Sequence, residues 1–182
     1  MSYELNLKAA QEWAAEKHEG QDYGGGLYTD HLAHVHSVLI RFGYNPNLKD
    51  ADEAHLKLSR NLTIAAWLHD IVEDTDVTLN DVKNRFGKRV ASIVNGVTNE
   101  PGASRKIRHK KTYPKTKRIP GAFILKQADR IANVEKCRAT HSGLINMYWK
   151  EWKGFQAEFE GYGDEYMWEY LRRLMSRPDG ES

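Results

Sequence analysis

The chain has 182 residues, a formal net charge of +2 and a single cysteine, Cys137. This length suffices for one domain with a sizeable core, and one cysteine excludes both an internal disulfide and a thiolate zinc cluster. No apolar run approaches the roughly 18 residues of a membrane span, and residues 1–21 lack the apolar core of a signal peptide. We therefore expect a cytoplasmic protein of one domain, residues 1–182, with no membrane partner.

Helical periodicity runs through most of the sequence, and no segment alternates with the period of two that is typical of a strand. Apolar residues at three- and four-residue intervals predict helices at 4–19, 30–42, 52–74, 79–86, 88–97, 121–140, 144–160 and 164–176. Thr78 and Asp81 form a start signal for the short helix that Gly87 ends. The pattern favours an all-α fold, with a disordered tail beyond Arg177.

The predicted helix 52–74 carries four chemically costly side chains close together: His69, Asp70, Glu73 and Asp74. In one helix His69 and Glu73 lie one turn apart on the same side, as do Asp70 and Asp74. A dense acidic cluster resists desolvation unless a cation lies among the carboxylates. The segment therefore indicates half of a metal site, with a solvated helix end as the alternative.

Two further segments offer ligands of the same kinds. His31 lies near the start of an amphipathic helix, and Asp129 lies midway through an otherwise apolar helical segment. An acid in such a position is expensive to bury and should have a partner.

Five motifs, in order along the chain, carry a family resemblance. They are the segments Ala15 to Gln21, Tyr28 to Leu32 and His69 to Thr75, then Phe86-Gly87 with the segment Val94 to Thr98, and finally the segment Lys126 to Asn133. Their order and spacing, over about residues 5–140, resemble the HD-domain metal-dependent phosphohydrolases, and within them the (p)ppGpp hydrolases of the SpoT and Mesh1 type.

The resemblance implies a compact multi-helix bundle around one divalent metal, by analogy Mn²⁺. The implied metal ligands are His31, His69, Asp70 and Asp129. Two imidazoles and two carboxylates suit Mn, Fe, Co or Zn rather than Ca, so donor chemistry leaves the metal open. Glu73 and Asp74 would fall just outside the ligand set, where they can orient or deprotonate an attacking water.

The expected reaction removes the 3′-pyrophosphate of (p)ppGpp and releases GDP or GTP and pyrophosphate. The chain has no room for the synthetase domain of bifunctional relatives, so hydrolysis alone is expected. A phosphohydrolase acting on a nucleoside monophosphate, an adenine alarmone or a cyclic nucleotide is one alternative. A non-catalytic protein that binds a nucleotide or nucleic acid is another.

Residues 101–120 form a basic segment without a single acid, next to the predicted helix that carries Asp129. We interpret it as a phosphate clamp, with Arg105, Arg108 and Lys111 as substrate-binding residues. A nucleic-acid patch with Tyr113 for stacking is an alternative. A solvated basic loop is another.

Two more residues are expected to contact the nucleotide. Asn133 matches a family asparagine that reaches toward it. Tyr23 stands where the family usually has basic residues, and its ring could stack on a base. The many aromatic residues of 144–176 are expected to be core, with a homo-oligomer interface as the competing interpretation.

Overall fold

The computed structural model describes residues 2–176, so the tail predicted beyond Arg177 lies outside the described residues. Within that range the chain is helical, with an isolated β-bridge between Asp22 and Leu27 and no strand. The expected all-α fold is confirmed. The helices are Tyr3–Lys17 (α1), Tyr28–Arg41 (α2), Glu53–Leu68 (α3), Ile71–Asp74 (α4), Leu79–Val97 (α5), Arg105–Arg118 (α6), Ala122–Ala139 (α7), Ile145–Phe159 (α8) and Glu165–Met175 (α9).

The predicted helix 52–74 is interrupted near its C-terminal end. Helix α3 ends at Leu68 and the one-turn helix α4 begins at Ile71. Side chains of adjacent residues in an unbroken helix point about 100° apart. At the break, His69 Nε2 lies 3.1 Å from Asp70 Oδ2. Apolar periodicity does not detect so short an interruption.

Helix α5 contains the glycine joint that the sequence predicts. Gly87 has φ 86° and ψ 166° and interrupts an otherwise continuous α5. Residues other than glycine rarely adopt this backbone conformation. The predicted start signal is also present: Thr78 Oγ1 accepts from the Asp81 amide at 3.2 Å, and Asp81 Oδ2 accepts from the Thr78 amide at 2.9 Å.

The basic segment forms helix α6, so the interpretation as a loop is wrong. Ser104 caps its first turn by accepting from the Ile107 amide. Its buried face consists of His109, Thr112, Tyr113 and Thr116. The hydroxyl of Thr116 donates to the Gly96 carbonyl at 2.7 Å. Because this face is aromatic and hydroxylic rather than aliphatic, apolar periodicity missed the helix.

Helix α7 lies at the centre and packs against α2, α5 and α9. Three aromatic residues of α8 and α9 complete the main core, as expected: Phe155, Phe159 and Trp168 are buried, and the Phe159 ring stacks on Phe123 with centroids 4.2 Å apart. For Tyr162 and Tyr166 the expected core position is wrong, because both side chains are exposed. None of the described helices combines the length and apolar character that crossing a membrane requires.

Candidate metal centre

Three parts of the fold bring the four predicted metal ligands together. His31 lies in the first turn of α2, His69 and Asp70 at the break between α3 and α4, and Asp129 midway along α7. His31 Nε2 lies 3.6 Å from Asp70 Oδ2 and 3.4 Å from Asp129 Oδ1. His69 Nε2 lies 3.8 Å from the same Asp129 atom.

The hydrogen bond of His69 to the Ala66 carbonyl turns the other ring nitrogen, Nε2, toward this cluster. Its Nδ1 lies 2.8 Å from the Ala66 carbonyl, so Nδ1 must carry the proton. Its Nε2 is buried and lies 3.1 Å from Asp70 Oδ2 and 3.8 Å from Asp129 Oδ1, without hydrogen-bond geometry to any group among residues 2–176. Ligand atoms of His31, His69 and Asp129 all lie within 4.8 Å of one another. Imidazole and carboxylate donors at this spacing fit a divalent cation.

Both aspartates are held in the charged form that a metal ligand needs. Burial opposes ionisation of Asp129, but Lys126 and the two histidines more than offset it and lower the pKa of its carboxyl well below the usual range. Burial likewise opposes ionisation of Asp70, and His69 and His31 lower its pKa.

Glu73 and Asp74 border the cluster and are held in place. Glu73 accepts hydrogen bonds from the backbone amide and the side-chain amide of Asn99. Asp74 Oδ2 lies 2.8 Å from the hydroxyl of Tyr28, which lies equally close to Asp70 Oδ2. A hydroxyl has one proton, so Tyr28 donates to one of the two carboxylates at a time.

Residues His18 to Gln21, which directly follow α1, support this arrangement. The imidazole of His18 stacks on the Tyr28 ring, with centroids 4.5 Å apart and planes 8° from parallel, and its Nδ1 lies 2.8 Å from Gln21 Oε1. Gln21 Nε2 donates to the Asp74 carbonyl at 3.0 Å. The motif thereby positions both Tyr28 and the short helix α4.

A cavity of about 200 Å³ opens beside the cluster. Of the predicted substrate-binding residues, Arg105, Asn133 and Tyr23 line it. Arg108 and Lys111 do not, and Lys111 Nζ donates to the Pro101 carbonyl at 2.8 Å. The structure therefore brings one cation of the predicted clamp to the metal centre and leaves two away from it.

Tyr23 is held against the centre by its own neighbours. Its hydroxyl donates to Asn133 Oδ1 at 3.0 Å. Its ring contacts the His31 ring, with centroids 4.7 Å apart, and the Lys136 ammonium lies 4.9 Å from the ring centroid. The Tyr23 ring, which was expected to stack on a base of the substrate, is thus already in contact with His31 and Lys136.

Sequence reasoning assigned no role in the site to six residues that line the cavity: Tyr28, Asn99, His109, Lys126, Arg130 and Tyr148. Lys126 Nζ donates to Asp129 Oδ2 at 3.0 Å. Its spacing of three residues from Asp129 was a usable signal, because residues i and i+3 share a helix face. Asn99 gave no such signal, since its contact with Glu73 joins residues 26 positions apart.

Together, the helical bundle and the histidine–aspartate cluster define an all-α protein with a candidate divalent-metal centre. A model of a known family, described as "HD domain", matches residues 10–143. The chain belongs to this family.

Several relatives of known name are similar to this chain in sequence. The chain is 34% identical over 133 residues to "Guanosine-3′,5′-bis(diphosphate) 3′-pyrophosphohydrolase" of Aquifex aeolicus, a match that covers 71% of this chain and 17% of that protein. It is 33% identical over 144 residues to the mouse protein of that name called MESH1, covering 75% and 73%. It is 36% identical over 93 residues to "Bifunctional (p)ppGpp synthase/hydrolase SpoT" of Escherichia coli, covering 50% and 11%.

Solved structures support the fold. A structure titled "A metazoan ortholog of SpoT hydrolyzes ppGpp and plays a role in starvation responses" aligns with a TM-score of 0.73, 22% identity and 93% coverage of each chain. A protein from Listeria monocytogenes EGD-e aligns with a TM-score of 0.60 over 84% of this chain and 96% of that one. At this identity the likeness shows the shared helical architecture.

Proposed function

We propose that this protein is a metal-dependent nucleotide phosphohydrolase that removes the 3′-pyrophosphate of (p)ppGpp. One observation carries the proposal: His31, His69 and Asp129 bring their ligand atoms within 4.8 Å of one another. Asp70 contacts both histidines, and two further acids, Glu73 and Asp74, line the same cavity. A protein that only bound a nucleotide would not need acids able to activate water beside its metal. The names of the relatives support the same activity.

In the proposed reaction a water oxygen attacks the phosphorus attached to the ribose 3′-oxygen. The bond from that phosphorus to the 3′-oxygen breaks, and the 3′-oxygen leaves and takes up a proton. A divalent cation held by the four ligands would polarise the phosphoryl oxygen and lower the pKa of a water. In this proposal Glu73, which contacts Asn99, accepts the water proton, and Tyr28 holds Asp74 by a hydrogen bond.

In this proposal the basic side chains at the cavity bind the phosphate groups of the substrate. Arg105 and Arg130 both line the cavity, and both contact Glu151, at 2.6 Å and 3.1 Å. Lys126 adds a buried cation whose pKa is raised: burial opposes its charge, and Asp129 more than compensates. These cations are placed to bind the phosphate oxygens of the substrate and to stabilise the charge on the leaving group.

We further propose Mn²⁺ as the resident metal. A mixed nitrogen and oxygen donor set is compatible with Mn, Fe, Co and Zn, and the choice of manganese rests on the family resemblance. Metal content after purification, followed by reconstitution of the chelated protein with each ion in turn, separates these possibilities.

Substrate identity is tested directly with a nucleotide panel. The Mn²⁺-loaded protein is incubated with ppGpp, nucleoside monophosphates, an adenine alarmone and cyclic nucleotides, and products are resolved by anion exchange. GDP and pyrophosphate formed by the wild type and not by Asp70→Ala are expected. Cleavage of a different nucleotide would replace the substrate but keep the metal chemistry. No cleavage, with retained nucleotide or oligonucleotide binding, would favour a binding protein.

A further inference from the structure

A second, larger cleft lies between helices α6 and α8. Its volume is about 490 Å³, against about 200 Å³ for the cavity at the metal centre. Three lysines, Lys106, Lys110 and Lys150, line it, and the rings of Tyr113 and Phe155 contribute apolar surface. The cleft therefore combines cationic side chains with aromatic surface.

The charges of this cleft are unbalanced. Lys106, Lys110 and Lys150 have no hydrogen-bond or ion-pair partner among residues 2–176. The two acids that line the cleft are both paired with other cations. Glu151 binds Arg105 and Arg130, and Lys117 Nζ donates to Glu158 Oε1 at 2.6 Å. The three lysines are thus left with positive charge for an anion from solution.

His109 joins the cleft to the metal centre, because its side chain lines both. Burial and the nearby Arg105 lower the pKa of His109 to about 4, so it is neutral at physiological pH. On the same helix Arg105 faces the metal cavity, while Lys106 and Lys110, one turn apart, face the cleft. Helix α6 therefore presents cations to two adjoining spaces.

The metal cavity alone is small for a nucleotide, since pockets for small molecules typically measure about 300–1,000 Å³. We propose that the α6–α8 cleft is a phosphate-binding subsite for the part of the substrate remote from the scissile bond. Lys106, Lys110 and Lys150 bind its phosphate oxygens there. This inference rests on the proposed function for the identity of the ligand, but the anion site itself can be tested independently.

Gly154 provides a steric probe of the cleft. It lies within α8 and lines the cleft, and a Cβ added there would meet nothing within 4 Å. Packing therefore leaves room at this position, and a larger side chain would extend into the cleft without displacing the core. Gly154→Leu should block the subsite, whereas Gly154→Ala should leave it open.

The kinetic test compares Lys150→Ala with Lys153→Ala, which removes the same charge from an exposed position of the same helix outside the cleft. For ppGpp we expect KM to rise about 5- to 20-fold in Lys150→Ala and in Gly154→Leu, with kcat within about twofold of the wild type, because binding away from the reacting atoms is lost. Lys153→Ala and Gly154→Ala should match the wild type. Unchanged KM in both cleft variants would overturn the proposal.

A binding measurement keeps the proposal testable if no turnover is found. In EDTA, calorimetric titration with pyrophosphate compares the wild type with the cleft variants. Arg105, Lys126 and Arg130 at the metal cavity are the same in all of them, so the difference in affinity reports the cleft. Wild type and Lys153→Ala should bind pyrophosphate, and the triple variant of Lys106, Lys110 and Lys150 to alanine should bind it at least about tenfold more weakly. Equal binding by the triple variant, or no binding by the wild type, would contradict the proposal. Loss of hydrolysis with cleft binding intact would count against the proposed function alone.

The same variants distinguish a separate regulatory nucleotide. If added GDP changed kcat in the wild type but not in the triple variant, while KM for ppGpp stayed equal in both, the cleft would hold a second molecule. That result would overturn its assignment to the substrate.

Discussion

The hydroxyl of Tyr28 lies 2.8 Å from Asp74 Oδ2 and is the one side-chain hydrogen-bond donor that reaches this carboxylate within residues 2–176. The same hydroxyl lies 2.8 Å from Asp70 Oδ2. Tyr28 therefore couples a predicted metal ligand to a predicted catalytic acid. Burial raises the pKa of the Tyr28 phenol most, and the nearby carboxylates of Asp70 and Asp74 raise it further. Tyr28 therefore stays protonated and acts as a donor.

We expect Tyr28→Phe to lower kcat about 10- to 100-fold, in the range seen when partners of metal ligands are removed. The ring and its stacking on His18 are kept, so the fold should be unaffected. Turnover at saturating Mn²⁺ and the Mn²⁺ dissociation constant are the measurements. A variant with wild-type kcat and metal affinity would show that the hydroxyl has no part in positioning the acids.

Glu73→Gln separates water activation from metal binding. The glutamine keeps an oxygen for the Asn99 amide but accepts a proton far less readily, so we expect kcat to fall about 10²- to 10⁴-fold. The Mn²⁺ affinity, measured by calorimetry, should stay within about threefold of the wild type. Metal binding with full activity would remove Glu73 from the mechanism.

Metal binding should stabilise the folded chain. At a free Mn²⁺ concentration 100 times the dissociation constant, the gain is about 2.7 kcal/mol. For a chain of this size that corresponds to a rise in Tm of about 5–10 °C. Asp129→Asn should abolish the rise, and Asp76→Asn, at an exposed carboxylate paired with Lys17, should keep it. Thermal unfolding with and without Mn²⁺ checks this, and a rise retained in Asp129→Asn would exclude Asp129 as a ligand.

Glu135 should make the stability depend on acid. Burial opposes its charge, but hydrogen bonds from His34, Tyr170 and Arg41 outweigh this and lower its pKa to about 2. Because the pKa of Glu135 is lower in the folded chain than in the unfolded chain, where it is about 4.5, its charge stabilises the fold at pH values above 4.5. This stabilisation is lost as the pH falls from 4.5 toward 2.

In the corresponding experiment, Glu135→Gln should reduce the free energy of unfolding by roughly 1–2 kcal/mol at pH 7, allowing for solvent screening. The difference from the wild type should shrink between pH 4.5 and 2. Glu169→Gln, at an exposed carboxylate on α9, is the control. Urea unfolding at a series of pH values provides the data, and a difference independent of pH would point to lost packing instead of lost charge.

The glycine joint in α5 should tolerate no side chain. Gly87→Ala places a methyl group on a backbone with φ 86° and ψ 166° and should cost about 1–3 kcal/mol of stability. Gly154→Ala, inside α8 with open space around it, should instead gain about 0.5–1 kcal/mol. Equal effects of the two substitutions on Tm would contradict the assignment of Gly87 as a strained joint.

The sequence by itself determined the elements whose signals are local. Apolar spacing placed the helices that bury aliphatic faces, and Thr78, Asp81 and Gly87 marked boundaries that the structure keeps. The four predicted metal ligands were named from residue chemistry and an ordered family resemblance, because costly polar groups within apolar helices stand out from their surroundings.

The tertiary structure alone revealed the features that depend on contacts between residues far apart in the sequence. Helix α6 was missed because its buried face carries threonines whose partners, such as the Gly96 carbonyl, lie about 20 residues away. The roles of Tyr28 and Asn99 depend on hydrogen bonds to residues 26 to 46 positions distant. Folding also divided the basic segment, with Arg105 at the metal centre and Lys106 in the α6–α8 cleft, because the burial of one helix face fixes where every other side chain of that helix points.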